Sequence, residues 1–201
     1  MKISMILLFL IISLYLSADQ LDDIYNQIID EYSKISSFEA TLNQENHWSE
    51  IDRTKSTTGK IYYNTDSLYV SYDPPDEQEL FVQENTVIMH DKKSGQAIYM
   101  DKGDFLIRPL SIIKSYWNES EKQLLPVQDD FIMLLIKRAD EEIIISLKSG
   151  LITSLLITDK DNNSVKYQFL DEKINSVLPK SIFIPAFPEN TNIIDNRTNG
   201  E

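Results

Sequence analysis

From Leu21 onward the apolar residues fall at Leu21, Ile24, Tyr25, Ile28, Ile29, Tyr32 and Ile35, offsets of three and four that place them on one side of a helix. Asp22 and Asp23 occupy its first turn, where negative charge suits the N-terminal end of the helix dipole, and Ser17 or Asp19 stands where a cap would. After Ser36-Ser37 the period drops to two. Phe38, Ala40 and Leu42 alternate with Glu39, Thr41 and Asn43, which predicts a half-buried strand.

The same rhythm continues. Residues 57–63, 68–73, 79–83, 86–91 and 97–101 read as short strands, separated by Asn64-Thr65-Asp66, Asp73-Pro74-Pro75-Asp76, Glu84-Asn85 and Lys92-Lys93-Ser94-Gly95, all of turn composition. A second group follows at 130–137, 142–147, 151–158 and 164–170, with Lys148-Ser149-Gly150 and residues 159–163 as turns. Between the groups, Leu106, Leu110, Ile113 and Trp117 recur at helical spacing over 105–117, and Pro109 either kinks that helix or marks its true start. Glu45-Asn46-His47-Trp48 reads as a turn.

Connections this short require antiparallel neighbours. A sheet of about nine to eleven strands with two or three helices must curl. The pattern therefore predicts a mainly β (α+β) domain, an unclosed antiparallel half-barrel whose helices cover the concave side. Between helix and sheet lies either a packed core or a cavity.

Met1-Lys2 precedes an apolar run from Ile3 to Leu16 and the small residues Ser17-Ala18. A basic start, an apolar stretch too short for a membrane span and a small residue at the break are the parts of a secretory signal. The expected organisation is a signal peptide over 1–18, cut after Ala18, and one domain over 19–201, so that the mature protein is exported. An uncleaved N-terminal anchor is the other reading.

Composition narrows the chemistry. The chain has 201 residues, 42% apolar and 25% charged, so it can build a core. With 19 Lys+Arg against 32 Asp+Glu, a net charge of −13, it lacks the basic surface that nucleic acid requires. Having no cysteine excludes disulfides, thiol nucleophiles and lipidation at cysteine. The two histidines, His47 and His90, lie outside Gly/Ser-rich turns, and no Gly-x-Ser-x-Gly, HExxH or phosphate-cradling glycine loop occurs. His90 sits in a strand pattern and reads as an exposed or hydrogen-bonded strand residue. The pairs Asp129-Asp130 and Glu141-Glu142 read as solvated faces, and Asp159-x-Asp161-x-Asn163 reads as a β-turn and not a calcium loop. The expectation is a protein without catalytic residues, metal or cofactor.

Several stretches, read in order, resemble the LolA family of periplasmic outer-membrane lipoprotein carriers. They are Ser36-Ser37-Phe38-Glu39-Ala40-Thr41-Leu42-Asn43-Gln44, similar to that family's Ser-Phe-x-Ala-x-Phe-x-Gln signature; Gly59-Lys60-Ile61-Tyr62-Tyr63; Leu68-Tyr69-Val70-Ser71-Tyr72 followed by Pro75-Asp76-Glu77-Gln78; Val82 leading to Val87-Ile88-Met89-His90-Asp91; and Phe183-Ile184-Pro185 with Ile193-Ile194-Asp195. The resemblance spans 19–197 and implies an apolar cavity under a helical lid that holds the acyl chains of a lipoprotein. It also implies delivery from an inner-membrane ABC release complex to an outer-membrane acceptor. The alternative is a lipid-binding or sensing domain of the same superfamily that does not transport.

Alternation then nominates the lining. Ile61, Tyr63, Leu68, Val70 and Tyr72 are joined by Leu80, Val82 and Ile88 as cavity residues, with Leu106, Leu110, Ile112 and Ile113 on the lid. The other reading of each lining residue is plain core. Acylated lipoproteins or lipid are the expected partners, and the chain is expected to act as a monomer. One departure stands out: where the family has a Lys-Arg-Pro turn whose arginine bonds to the lid, this chain has Asn64-Thr65-Asp66, so any latch must be weaker or built differently.

Overall fold

The computed structural model describes residues 20–103, 108–126 and 131–198. Helix α1 covers 20–33. Strand β1 (Ser37–Trp48) then turns through a short 3-10 segment, Ser49–Ile51, into β2 (Arg53–Asn64), and a meander follows: β3 (Ser67–Tyr72), β4 (Gln78–Gln83), β5 (Thr86–Asp91) and β6 (Gln96–Asp101). Helix α2 (Pro109–Trp117) leads into a second meander of β7 (Glu121–Leu125), β8 (Phe131–Arg138), β9 (Glu141–Lys148), β10 (Leu151–Asp159) and β11 (Ser164–Ile174). A 3-10 turn, Lys180–Phe183, and β12 (Asn192–Asp195) complete the order. Among the described residues the twelve strands form one sheet, ordered β12-β6-β5-β4-β3-β2-β1-β11-β10-β9-β8-β7, and its end strands β12 and β7 do not pair with each other. The expected unclosed half-barrel is present.

Pro109 marks the start of α2 and not a kink: it occupies the first helical turn, where its missing N–H costs nothing, and Arg108 before it is extended. Three other expectations change. Residues 45–48 are not a turn but the end of β1, paired with β2 as far as Trp48 opposite Arg53. That end is polar on both faces, so no alternation marks it. β7 has only Leu124 and Leu125 as apolar residues and exists through its pairing with β8. β12 pairs parallel to β6, Asn192 opposite Gln96, because the 17 residues between β11 and β12 carry the chain across the sheet.

The register separates two faces. Ile61, Val70 and Leu80 lie side by side on β2, β3 and β4, as do Tyr63, Leu68 and Val82. This face, with Phe38, Ala40 and Leu42 of β1 and Leu134, Ile145 and Leu155 of the second meander, packs against Ile24 and Ile28 of α1 and Ile112 and Ile113 of α2. The helices lock together through the stacked rings of Tyr25 and Trp117, 4.3 Å between centroids. The Ile152 N–H donates to the Tyr32 hydroxyl at 3.2 Å, tying α1 to β10. On the other face, Phe81 and Tyr69 stack at 4.7 Å, and Phe187 of the C-terminal segment meets Phe81 edge-on. Gln83 donates its amide to the Phe183 carbonyl, so that segment lies over this side of the first meander. Gly59 is required where β2 meets β3: a Cβ there would lie 2.2 Å from the Ser71 carbonyl oxygen.

Candidate functional site

The residues nominated as cavity lining divide three ways. Ile61, Tyr63, Leu68, Val70, Leu80 and Val82 share the helix-covered face and are all buried in the core. Tyr72 shares that face, opposite Gly59, but is only partly buried. Ile88 does not belong to the lining. It pairs with Phe81, whereas Val87 pairs with Val82, so Ile88 lies on the face away from the helices. Both faces of β5 are apolar because the C-terminal segment covers the second one, and alternation alone could not assign them. Of the lid residues, Ile112 and Ile113 are buried in the core and Leu110 is half-buried. Leu106 lies outside the described residues. Among the described residues, those beneath the helices pack as core.

An opening lies farther along the same face, past the helices. A concavity of about 380 Å³ is floored by Leu80, Met89 and Ile98, with Tyr72 and Tyr167 at its side. Leu80 pairs with Met89 and Met89 with Ile98, so these three side chains stand in a row across β4, β5 and β6. Two positions along the same strands stand Val82, Val87 and Met100, which are in or against the core. The floor therefore continues unbroken from open mouth to sealed interior. Met89 is 42% exposed. The sequence pattern did not single out Met89, Ile98, Tyr167, Val87 or Met100. Met89 and Ile98 belong to strands with apolar residues on both faces, and only the pairing with β4 brings them to this one.

The rim of the mouth is polar. Gln44, Asn46 and Thr57 line it. The Tyr72 hydroxyl donates to Gln44 Oε1 at 2.5 Å, and Gln44 Nε2 donates to Asn46 Oδ1 at 3.1 Å. Lys55 donates to Asp76 Oδ1 at 2.6 Å.

At the other end of the helices a second contact forms. Arg108, just before α2, donates from Nη1 to the Thr65 carbonyl at 2.8 Å, and its guanidinium lies 5.9 Å from the centre of the Tyr63 ring. Burial lowers its pKa while Tyr63 and Asp66 oppose that change. This contact joins the residue preceding α2 to the turn Asn64-Thr65-Asp66, with the arginine on the α2 side and the acceptor on the turn.

A half-buried carboxylate lies close by. β11 bulges where Asp171 and Glu172 together face Ala40, and such an extra residue re-aims its neighbours. Glu172 lies beside Tyr63 and Tyr32. Its Oε1 and the Tyr63 hydroxyl are both buried without a hydrogen-bond partner among the described residues. Burial raises the Glu172 pKa. A raised folded value means that its contribution to stability is complete below the unfolded carboxyl pKa, about 4.3, and is lost as pH rises through the folded one. Glu172→Gln should therefore leave the melting temperature unchanged near pH 4 and raise it progressively toward neutrality. Parallel thermal melts of both proteins across that range check this, and a pH-independent difference would contradict it.

His90 is buried and not exposed. Its Nδ1 lies 2.9 Å from Glu79 Oε2, and the same carboxylate accepts from the Tyr69 hydroxyl at 2.7 Å and from Lys92 Nζ at 2.9 Å. Burial alone would raise the Glu79 pKa, but the bonds from Lys92, His90 and Tyr69 outweigh it and hold the carboxyl below its ordinary value. His47 Nδ1 lies 3.0 Å from Thr54 Oγ1 across the β1–β2 hairpin. Among the described residues no cluster of His, Asp or Glu is placed to hold a metal ion, and no helix is long and apolar enough to cross a membrane.

The family model described as "Outer membrane lipoprotein carrier protein LolA" matches residues 33–186. Among solved structures, an uncharacterized conserved protein from Thermus thermophilus superposes with a TM-score of 0.58 at 11% identity, covering 88% of this chain and 99% of that one. A LolA superfamily protein from Nitrosomonas europaea gives 0.46 at 13% identity, covering 76% and 91%. Lipoprotein LppX from Mycobacterium tuberculosis gives 0.44 at 12%, covering 78% and 96%. The Thermus likeness bears on the fold alone. No curated protein sequence matches the chain.

Proposed function

The chain belongs to the LolA family of outer membrane lipoprotein carriers, and from that premise we propose that it binds the acyl chains of lipoproteins and carries them across the periplasm. The observation that supports this reading is the floor of the mouth: Leu80, Met89 and Ile98 are open at one end and continuous with the core at the other. Each methylene withdrawn from water contributes about 0.8 kcal/mol. A lipid anchor left in water is therefore unfavourable by tens of kcal/mol, roughly. Shielding it needs shape and apolar surface, not a catalytic group, a metal or a cofactor.

The 380 Å³ of open space lies near the lower end of the range for small-ligand sites, about 300–1,000 Å³. A multiply acylated anchor therefore requires α1 and α2 to move off the sheet, exposing Ile61, Tyr63, Leu68, Val70 and Val82 as the deeper lining. For cargo to be both taken up and released, closed and open forms must differ by only a few kcal/mol. In this scheme the cargo comes from an inner-membrane ABC release complex and goes to an outer-membrane acceptor, and the carrier works as a monomer. Native mass spectrometry of protein isolated from the periplasm should reveal a co-purifying lipid or lipoprotein, and a fluorescent acyl probe should bind. Failure of both would sink the reading. Binding without transfer to acceptor vesicles would sink the transport step alone.

The contact from Arg108 to the Thr65 carbonyl is where the cover would part from the sheet. Arg108→Ala removes one charge-assisted hydrogen bond at a half-exposed position. It should speed release of the acyl probe by about fivefold, with little change in the melting temperature. Stopped-flow dissociation checks this, and an unchanged release rate would remove the latch role.

A further inference from the structure

The rim of the mouth has a chemistry that acyl chains alone do not use. Four carboxamides line it: Gln44 and Asn46 from β1, Gln78 from β4 and Gln96 from β6. The pairings place all four on the concave side, since Gln78 and Gln96 each oppose Asp91, two positions along from Met89. Each carboxamide offers a donor and an acceptor together, which is the pairing a peptide group presents. The relay from Tyr72 through Gln44 ends on Asn46, whose amide nitrogen is left as a donor. Asp76 supplies the complement. Its Oδ1 takes Lys55, while its Oδ2 is buried without a hydrogen-bond partner among the described residues, an acceptor suited to an incoming N–H.

Charge selects further. Among the described residues lining the mouth, Lys55 is the one lysine or arginine and its charge is matched by Asp76; Glu79 is matched by Lys92, and Asp91 adds a further carboxylate. Such a rim disfavours an anionic phospholipid headgroup and tolerates a neutral chain. The apolar floor runs inward from here, so a ligand with acyl chains on the floor would bring whatever follows them to the rim.

We propose that the mouth binds the peptide segment adjoining the acylated residue of a lipoprotein, read as a neutral extended chain by Gln44, Asn46, Gln78, Gln96 and Asp76. This rests on the acyl-binding reading and adds a preference to it. The cargo is an acylated peptide and not free phospholipid.

The test displaces a fluorescent acyl probe from the purified protein with two competitors. One is a synthetic lipopeptide, a dipalmitoylated glyceryl-cysteine followed by five neutral residues; the other is dipalmitoyl phosphatidylcholine, which has the same acyl chains and no net charge. The lipopeptide should compete at about tenfold lower concentration, the equivalent of one or two net hydrogen bonds. The double variant Asn46→Leu, Gln96→Leu should lose that advantage and leave phospholipid displacement as it was. Should that variant not fold, as judged by circular dichroism, Gln78→Leu serves in its place. Equal potency of the two competitors, or a preference that survives the substitutions, would overturn the peptide inference and leave the acyl reading standing. If the acyl probe does not bind at all, both fall together.

Discussion

Replacing Val70 by glutamate should leave no folded protein to assay. Val70 is 0% exposed and stands between Ile61 on β2 and Leu80 on β4, with no polar atom of its own to share a charge. An ionised carboxylate placed there without a partner costs several kcal/mol even after relaxation. That is comparable with the whole stability of an ordinary domain, about 5–15 kcal/mol. The expected result is loss of the cooperative thermal transition and of the far-ultraviolet β signal. From alternation alone, the same substitution would be chosen to abolish acyl binding in an intact sheet. Complete burial changes that expectation, because Val70 belongs to the closed core before it can belong to any cavity. A near-native melt would show that the interior around Val70 already admits water.

Met89→Glu is the complementary case and has the largest effect on binding. Met89 shares the face of Val70 but is 42% exposed, so a carboxylate there can remain hydrated and the fold should be kept. An acyl chain laid along Leu80 and Ile98 would have to strip that hydration. With a penalty of about 3 kcal/mol for a poorly compensated polar group, the affinity for the acyl probe should fall roughly a hundredfold. The decisive measurement is a fluorescence titration beside a thermal melt. Unchanged affinity with an unchanged melt would mean that the mouth is not the path of the chain.

The two substitutions show where the sequence could be read and where it could not. Phe38, Ala40 and Leu42, and likewise Ile61 with Tyr63, alternate with polar neighbours because the opposite face of those strands meets solvent. Their face was therefore legible, and with it the half-barrel. In β4 and β5 the pattern fails: Phe81 and Ile88 are as apolar as Val82 and Val87, since the C-terminal segment covers them. Alternation alone therefore assigns Ile88 to the wrong side. The rim was hidden for the converse reason. Gln44 and Asn46 continue the inward-facing series of Leu42, but as polar residues they mark a turn or a solvated strand until the mouth beyond the helices is seen. The Arg108 contact lay beyond any local pattern, for it joins residues 43 positions apart. What the sequence did supply there was Pro109, the first turn of α2.

The middle of the sheet is a seam between strands from opposite ends of the chain. β1 pairs with β11, Phe38 opposite Ile174 and His47 opposite Ser164, partners more than a hundred positions apart. Each meander can zip up through its own short turns, but the seam must first meet the entropy of a long loop. Topologies dominated by such distant pairs fold in milliseconds to seconds and not in microseconds. A chain emerging from its N-terminus can therefore assemble β2 to β6 early. It cannot bring Phe38 against Phe169, nor anchor α1 through Tyr32 on β10, until three quarters of its length has been delivered. The apolar face of β2 to β6 can thus form early, while the seam beside it and the anchoring of α1 over it wait for the last strands.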